Sequence, residues 1–372
     1  MTRLSDDYLD LANPHVARIA PYVPGKPIEE VQREYGLTDV VKLASNESAV
    51  GTSALAIEGI QKVLGDLYLY PDSNNYYLTQ KLSKRFNLPT DHFLVAGGSV
   101  EILYFLAIAL LSKRDEVIMG VPSFPMYPII TQMMDATLVK TSLRDHHFDL
   151  DAMLHAVTDR TKIIFIANPN NPTGTIVTED EVRSFMARVP ERVLVVFDEA
   201  YIDLVESSGF PDALAYVRQG RRAIVLRTFS KNYGLAGARV GFAVAPPVLI
   251  NLIERVQPPF NVSTLAQAAA LAALDDKNHL LETQKVTWKE KRFLYEGFSR
   301  LGLHFVPTEA NFIYVHSPIP TAELFELLLR EGVVIRPVGP MAPEHVRISV
   351  GNRMANVRLL ECLGKVLTRV PR

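Results

Sequence analysis

The sequence has little of three features that would each point to a particular class of protein. Its 372 residues include one cysteine, Cys362, which excludes an intrachain disulfide and a thiolate metal cluster and favours the reducing cytoplasm. Because 39 lysines and arginines nearly balance 41 aspartates and glutamates, we expect neither nucleic acid nor an anionic membrane as a partner. No apolar run approaches the roughly 20 residues of a membrane span, and we expect no secretory signal at the N-terminus.

What the chain does have is the composition of a large globular protein. Hydrophobic residues make up 48% and charged residues 22%, and the length exceeds the size at which one core keeps growing. From about residue 93 to 245, short β-branched runs alternate with helical patterns. This alternation predicts an α/β domain with a mostly parallel sheet flanked by helices. In such sheets, ligands bind at the carboxyl ends of the strands.

The pattern changes in the last third of the chain. An Ala/Leu-rich stretch from residue 263 to about 301 predicts one or two long helices that link two domains. Beyond it, short strands interleave with helices, which indicates a smaller α+β domain. We therefore predict a large domain over residues 46–270, and a second unit made of residues 1–45 and 271–372.

Lys231 follows a predicted buried strand and has neighbours that suit a phosphate dianion. Thr228 and Ser230 supply hydroxyls, and Arg239 supplies a guanidinium. Taken alone, a lysine after a strand is most often a solvated loop residue. An amine beside a phosphate anchor is instead the arrangement expected where a phosphorylated cofactor is held.

Two polar loops follow the preceding strands. Asp198 ends an apolar strand, where it could cap a helix or pair with a protonated pyridine nitrogen. Tyr201, three residues later, can reach the same ligand. Asn171 follows another strand within a proline-fixed turn; it could serve the loop alone or hydrogen-bond a phenolic oxygen.

Two more loops complete the pattern. Gly97 and Gly98 precede Ser99, which we expect at a helix N-cap, where free N–H groups and the helix dipole favour a phosphate. A simple turn is the alternative. Phe124 and Tyr127 lie in a proline-rich segment that we expect to be a loop, where an aromatic face could stack on a planar ring, with a core or dimer contact as the alternative.

With the motifs NPNNPTG and DEAY, and an arginine eight residues after Lys231, the sequence resembles the fold-type I pyridoxal-phosphate aminotransferases over nearly the whole chain. The segments PYVPGKP, KLASNES, YPD, PPFNVSTLAQAA, EANFIYV and VRISVG make it similar, more narrowly, to the histidinol-phosphate aminotransferases. The resemblance implies that residues 46–270 bind pyridoxal 5'-phosphate, with Lys231 as the imine lysine and proton carrier and Asp198 on the pyridine nitrogen. It implies no metal.

The resemblance also implies which other side chains contact the ligands. The expected cofactor contacts are Gly98, Ser99, Val100, Phe124, Asn171, Tyr201, Thr228, Ser230 and Arg239. The expected substrate contacts are Tyr22, Asn46, Tyr127, Arg336 and Arg347, with Tyr201 counted among the catalytic residues as well.

Tyr70 is expected to reach the cofactor phosphate from the partner subunit, which would make the protein a homodimer with shared active sites.

Two positions depart from the family pattern. Val100 stands where relatives commonly carry an acid, and Phe124 stands where tyrosine is usual. Backbone N–H contacts and ring stacking survive both changes.

The expected reaction moves an amino group between glutamate and imidazole-acetol phosphate. Either arginine would suit a phosphate or a carboxylate, so an aromatic amino-acid aminotransferase and a threonine-phosphate decarboxylase stay open as alternatives. A transcription regulator with an aminotransferase-like sensor domain would need an added DNA-binding module. The first 45 residues are too few and not basic enough for one.

Overall fold

The computed structural model describes residues 11–369. The strands are β1 (Val41–Lys42), β2 (Phe93–Ala96), β3 (Glu116–Val121), β4 (Thr137–Ser142), β5 (Thr161–Ala167), β6 (Leu194–Asp198), β7 (Ala223–Thr228), β8 (Gly241–Val244), β9 (Phe305–Val306), β10 (Phe312–His316), β11 (Val333–Val334), β12 (Arg336–Pro337) and β13 (His345–Ser349). The α-helices are α1 (Pro14–Ala17), α2 (Ile28–Tyr35), α3 (Ala54–Val63), α4 (Tyr76–Phe86), α5 (Ser99–Leu110), α6 (Met126–Met133), α7 (Leu150–His155), α8 (Glu179–Arg188), α9 (Leu214–Arg218), α10 (Pro247–Glu254), α11 (Thr264–Ala273), α12 (Lys277–Arg300), α13 (Thr321–Arg330) and α14 (Arg353–Arg369).

A seven-stranded sheet forms the centre of the larger unit, with the strand order β2-β8-β7-β6-β5-β3-β4. Strands β3 to β7 run parallel to their neighbours, whereas β8 is antiparallel to both β2 and β7. The central strands carry unbroken apolar runs because helices cover both faces of the sheet. The prediction of an α/β domain with a mostly parallel, helix-flanked sheet is confirmed.

The carboxyl ends of the parallel strands meet at one edge of this sheet. Loops after β2, β3, β5, β6 and β7 therefore converge there. The antiparallel strand β8 begins at the same edge, since Gly241 pairs with both Thr228 and Ala96. Arg239, two residues before β8, is thereby placed beside the ends of β2 and β7.

A smaller unit packs around a four-stranded antiparallel sheet with the order β12-β13-β10-β9. Its core contains Leu294 and Phe298 from α12, Ile313 from β10 and Leu363 from α14. The short strand β1 pairs in parallel with β11, so the N-terminal segment packs against this unit. The smaller α+β unit expected from the sequence is present.

Two helices, α11 and α12, fill the Ala/Leu-rich stretch, as the sequence allowed. The break falls between α11 and α12, where the Asp276 carboxylate accepts a hydrogen bond from the His279 N–H and caps α12. The predicted boundaries at residues 45/46 and 270/271 stay a prediction. Among residues 11–369, no helix combines the length and the apolar character that crossing a membrane requires.

Candidate active site

A cleft of about 270 Å³ opens at the edge of the large sheet where the parallel strands end. In the part of the chain that the structure describes, all but two of the predicted site residues line it. They are Tyr22, Asn46, Ser99, Val100, Phe124, Tyr127, Asn171, Asp198, Tyr201, Thr228, Ser230, Lys231, Arg239, Arg336 and Arg347. Gly98 adjoins the cleft through Ser99, and Tyr70 lies elsewhere. The roles of these residues stay predictions, but their convergence is a feature of the fold.

Lys231 projects from the loop after β7 toward the N-terminal segment. Its Nζ donates a hydrogen bond to the Ser45 carbonyl at 3.2 Å and lies 5.6 Å from the centre of the Tyr201 ring. Burial, and then the positive charge of Arg347, lower the pKa of Lys231 to about 7. A large fraction of this amine is therefore neutral near pH 7, the form that attacks a carbonyl carbon.

Asp198 ends β6 and is almost fully buried. Its Oδ2 accepts a hydrogen bond from the Tyr127 hydroxyl at 2.9 Å, whereas its Oδ1 has no hydrogen-bond partner among residues 11–369. Burial raises the pKa of Asp198 to about 6. A buried carboxylate oxygen without a partner is costly, so the cleft requires a donor at this position. A protonated ring nitrogen would satisfy it.

The amide of Asn171 and the hydroxyl of Tyr201 are held by residues of other elements. The Arg347 Nη1 donates to the Asn171 Oδ1 at 2.7 Å, which leaves the Asn171 amide nitrogen to donate. The Asn46 Nδ2 donates to the Tyr201 hydroxyl at 2.9 Å. Because burial raises the pKa of Tyr201, that hydroxyl keeps its proton and can also donate. Two donors suit an anionic ring oxygen.

Gly98, Ser99, Thr228, Ser230 and Arg239 are the residues predicted to bind a phosphate, and we call this group the phosphate cup. The Arg239 Nη1 donates to the Ser230 Oγ at 3.3 Å, and the Thr228 hydroxyl donates to the same oxygen at 2.9 Å. Gly98 has φ +93°, and a Cβ there would lie 2.5 Å from the Arg239 Nη2. Glycine is therefore required on one wall of the cup.

The structure corrects the position of Ser99 by one residue. Gly98 is the N-cap of α5, and Ser99 is the first residue of the helix, without a capping hydrogen bond from a side chain. The free N–H groups of the first helical turn still face the phosphate cup, so the physical basis of the prediction is unchanged. Val100 adds an apolar side chain to the cleft wall.

The prediction that Tyr127 lies in a loop is wrong. The residue belongs to the first turn of α6 and is fully buried. Its ring stacks on Phe165 of β5 with centres 4.3 Å apart, and Phe124 contacts it edge-on at 5.6 Å. The Tyr127 hydroxyl donates to Asp198, and the substrate contact expected of Tyr127 stays a prediction. Phe124 remains beside the cleft, where it can stack on a planar ring.

Two guanidinium groups come from neighbouring strands of the smaller sheet. Arg336 of β12 and Arg347 of β13 are direct partners in the antiparallel register. The Arg336 Nη2 donates to the Val23 carbonyl at 2.7 Å, and its guanidinium lies 5.5 Å from the centre of the Tyr22 ring. Neither arginine has an ion-pair partner among residues 11–369, and two such charges side by side favour an anionic ligand in the cleft.

Tyr70 lies outside the cleft of its own chain. Its side chain is 82% exposed and stacks on Phe260 with ring centres 4.7 Å apart. Large apolar side chains at 64–70 are exposed around it, and together with Phe260 they form an apolar patch. Several large apolar side chains exposed within one short segment are typical of a protein–protein contact.

The sequence did not identify Ser45, and it did not predict the contact between Tyr127 and Asp198. Ser45 accepts the Lys231 hydrogen bond through its backbone carbonyl, which any residue has, so no side-chain signal exists. Asn46 itself has φ +55°, a conformation that asparagine tolerates, and the Ser349 hydroxyl fixes its amide oxygen at 2.9 Å. The segment KLASNES was noticed only as part of the family resemblance.

An ion pair joins the end of β7 to the residue that follows Asp198. The Arg227 Nη2 of β7 and the Glu199 carboxylate after β6 are 2.8 Å apart, with Glu199 buried and Arg227 nearly so. The Glu199 backbone N–H also donates to the Leu226 carbonyl. These contacts fix the two strand ends relative to each other.

Comparisons with known proteins agree with this geometry. The family model of class I and II aminotransferases matches residues 38–363. A histidinol-phosphate aminotransferase from Moorella thermoacetica is 44% identical over 95% of this chain and 92% of its own length. One from an Anaeromyxobacter species is 43% identical over 96% of this chain and all of its own.

Solved structures share the fold. The crystal structure of histidinol-phosphate aminotransferase from Sinorhizobium meliloti in complex with pyridoxal-5'-phosphate has a TM-score of 0.88 at 24% identity, covering 100% of this chain and 99% of its own. Aspartate aminotransferase from Thermus thermophilus with maleate has a TM-score of 0.84 at 22% identity. The match covers 95% of this chain and 99% of that one.

Proposed function

The chain belongs to the class I and II aminotransferases, and from this membership we propose that it moves an amino group between glutamate and imidazole-acetol phosphate, with pyridoxal 5'-phosphate as cofactor. The products are 2-oxoglutarate and histidinol phosphate, which places the reaction in histidine biosynthesis. The observation that carries the proposal is the cleft itself. It unites an amine with a lowered pKa, an unpartnered buried carboxylate oxygen and a phosphate cup.

The residues of the cleft fit this cofactor. The Asp198 Oδ1 is available to the ring nitrogen, and Asn171 and Tyr201 are donors for the ring oxygen. The phosphate cup, with the first N–H groups of α5, suits the phosphate, and Phe124 suits the ring face. Once bound, pyridoxal phosphate supplies an aldehyde and a protonated ring that withdraws electrons from the carbon being deprotonated.

Lys231 is the base of the proposed reaction. With the cofactor bound, its neutral Nζ would accept the proton from the α-carbon of the amino donor and would remain the proton carrier of the cleft. Burial beside Arg347 and Arg239 keeps the amine neutral without the help of a second base. Asp198 stays ionised, and its negative charge holds the proton on the ring nitrogen.

Arg336 and Arg347 are proposed to bind the anionic group of the substrate. Both residues line the cleft, and their direct pairing between β12 and β13 places the two charges side by side. Tyr22 and Asn46 line the same cleft. Two guanidinium groups give a bidentate site for the substrate phosphate or carboxylate.

We further propose a homodimer in which Tyr70 contacts the cofactor phosphate bound by the partner. The apolar patch at 64–70 and Phe260 supports this, because it exposes several large side chains that a second copy would cover. Tyr70 lies within that patch and outside its own cleft. A cytoplasmic location stays a prediction from the cysteine content.

Steady-state kinetics on the cofactor-loaded protein test the substrate. With glutamate as donor, we expect kcat/KM for imidazole-acetol phosphate to exceed that for phenylpyruvate by about 100-fold or more, because a phosphate dianion offers the paired guanidinium groups more charge and more acceptor oxygens than a carboxylate does. Equal or better values for phenylpyruvate would assign an aromatic aminotransferase. Release of carbon dioxide from threonine phosphate would assign the decarboxylase instead.

A further inference from the structure

Asp198 needs a fixed orientation if one oxygen is to meet the cofactor, and the structure shows which side chain gives it. The Tyr127 hydroxyl donates to the Asp198 Oδ2 at 2.9 Å, and the Oδ1 remains without a partner among the residues described. We propose that Tyr127 is a positioning residue that fixes the Asp198 carboxylate and keeps it in its charged form. This inference rests on the proposed cofactor.

Two aromatic contacts hold the ring of Tyr127, and one hydrogen bond holds its backbone. Phe165 of β5 stacks on one face at an interplanar angle of 2°, and Phe124 contacts it edge-on. The Thr131 hydroxyl donates to the Tyr127 carbonyl at 2.7 Å, which fixes the backbone of this turn of α6. Because the ring cannot move, its hydroxyl defines a single position for the Asp198 Oδ2.

The backbone of Asp198 is fixed as well. It pairs with Ala167 on β5 and Leu226 on β7, and its carbonyl accepts from the Asn168 N–H. Rotation about the last side-chain bond is therefore the main freedom left to the carboxylate. The Tyr127 hydroxyl removes that freedom, and the Oδ1 is consequently the oxygen presented to a ligand.

The same hydrogen bond affects the charge of Asp198. Burial raises the pKa of this carboxyl to about 6, and the Tyr127 hydroxyl, the Ala200 N–H and the Lys231 amine each oppose the rise. Tyr201 also faces Asp198 across the cleft. Burial and Asp198 itself raise the pKa of Tyr127 well above its ordinary value, so the phenol remains a donor. Without the Tyr127 hydroxyl, Asp198 would take up a proton at a higher pH.

The test is Tyr127→Phe, which removes one oxygen and keeps the stacked ring. We expect the dissociation constant of pyridoxal phosphate at pH 7 to rise about 10- to 100-fold, the usual worth of a hydrogen bond to a charged group. The acidic limb of the affinity–pH profile should move to higher pH. In the loaded enzyme, kcat should fall while KM for glutamate changes little.

Tyr216→Phe is the matched control. Its ring stacks on Phe197, the neighbour of Asp198 in β6, with centres 6.1 Å apart. Loss of this hydroxyl should leave the cofactor affinity and its pH profile at wild-type values. A general loosening of the core would instead affect both variants.

A double-mutant cycle with Asp198→Asn separates positioning from simple stability. If Tyr127 acts through the carboxylate, Tyr127→Phe should weaken cofactor binding far less in the Asp198→Asn background. The inference would be overturned if Tyr127→Phe weakened cofactor binding equally in both backgrounds. It would also be overturned if the acidic limb of the affinity–pH profile of Tyr127→Phe did not move, or if this variant raised KM for glutamate without lowering kcat. If the wild-type chain itself fails to bind pyridoxal phosphate, the proposed function fails, and the two failures are therefore distinct.

Discussion

Lys231 is surrounded by groups that favour its neutral form. Burial makes the largest contribution, followed by the guanidinium of Arg347, while Glu47 and Asp198 act in the opposite direction. The pKa therefore falls from its ordinary value to about 7. Below that pH the amine is mainly an ammonium ion and cannot attack an aldehyde. Above it, the neutral nucleophile predominates.

Replacing Arg347 with glutamine should make Lys231 less reactive at neutral pH. Without the neighbouring positive charge, the ammonium form is stabilised and the pKa of Lys231 rises. We expect the rate at which the apoprotein takes up pyridoxal phosphate at pH 7 to fall about 3- to 10-fold, with the midpoint of its pH profile shifted upward. The visible absorbance of the bound cofactor reports this rate.

Arg330→Gln is the control for the loss of charge, because Arg330 is an exposed arginine that pairs with Glu326 on the surface of α13. It should reproduce the wild-type profile. A slower uptake in Arg347→Gln that is the same at every pH would contradict the electrostatic explanation. It would instead point to the lost hydrogen bond with Asn171.

Individual functional side chains could be predicted from sequence where a charged residue stands at a position that such residues seldom occupy. Asp198 at the end of an apolar strand and Lys231 beside two hydroxyls are such cases. The contact of Tyr127 with Asp198 was not predictable, because it depends on the rotation of α6 against β5. A tyrosine three residues after a phenylalanine carries no local signal for a contact with Asp198, 71 residues later in the chain.

At the scale of elements, the strand ends could be predicted because buried parallel strands have continuous apolar runs. The loops of β2, β3, β5, β6 and β7 then had to meet at one edge. The direction of β8 could not be predicted, since an apolar run of four residues reads the same either way. Its antiparallel course is what brings Arg239 to Ser230 and Gly98.

The Gly98 turn before α5 gives a direct test of the phosphate cup. In Gly98→Ala the new Cβ would meet the Arg239 Nη2 at 2.5 Å, and φ +93° is unfavourable for alanine. We expect the free energy of unfolding to fall by about 1–3 kcal/mol. The dissociation constant of pyridoxal phosphate should rise at least about tenfold, which an absorbance titration measures.

Gly220→Ala is the matched substitution, because Gly220 also has a positive φ, +68°, but a Cβ there would meet nothing within 4 Å. It should leave cofactor affinity unchanged. If Gly98→Ala lost stability but bound both pyridoxal phosphate and pyridoxal as the wild type does, Gly98 would serve the turn and not the cup. The geometry requires that Gly98→Ala weakens the binding of pyridoxal phosphate more than the binding of pyridoxal.

At the scale of the whole molecule, the cleft is built from both sheets and from the N-terminal segment. Asn46 joins Tyr201 of the large unit to Ser349 of the small one. Tyr70 and the apolar patch around it remain exposed on the same chain. A second copy that covers this patch would bury those side chains and bring a tyrosine hydroxyl to a neighbouring cleft.

Complementation between two inactive chains tests this arrangement. Tyr70→Ala and Lys231→Ala should each abolish most activity as homodimers. In a mixed dimer with shared sites, one cleft receives both substitutions and the other receives neither. Randomly paired chains should therefore recover about a quarter of wild-type activity, since half of the dimers are mixed and each has one intact site.

If Tyr70 served its own cleft, each site of the mixed dimer would carry one substitution, and no activity would return. Two different affinity tags on co-expressed chains isolate the mixed dimer. In the reference dimer, a Lys140→Ala chain takes the place of the Tyr70→Ala chain and pairs with Lys231→Ala. Lys140 lies on the exposed edge strand β4. That reference dimer retains one intact site whichever way Tyr70 points. Equal activity of the two mixed dimers is the outcome that shared sites demand, because only then does the second subunit's Tyr70 complete the first subunit's cleft.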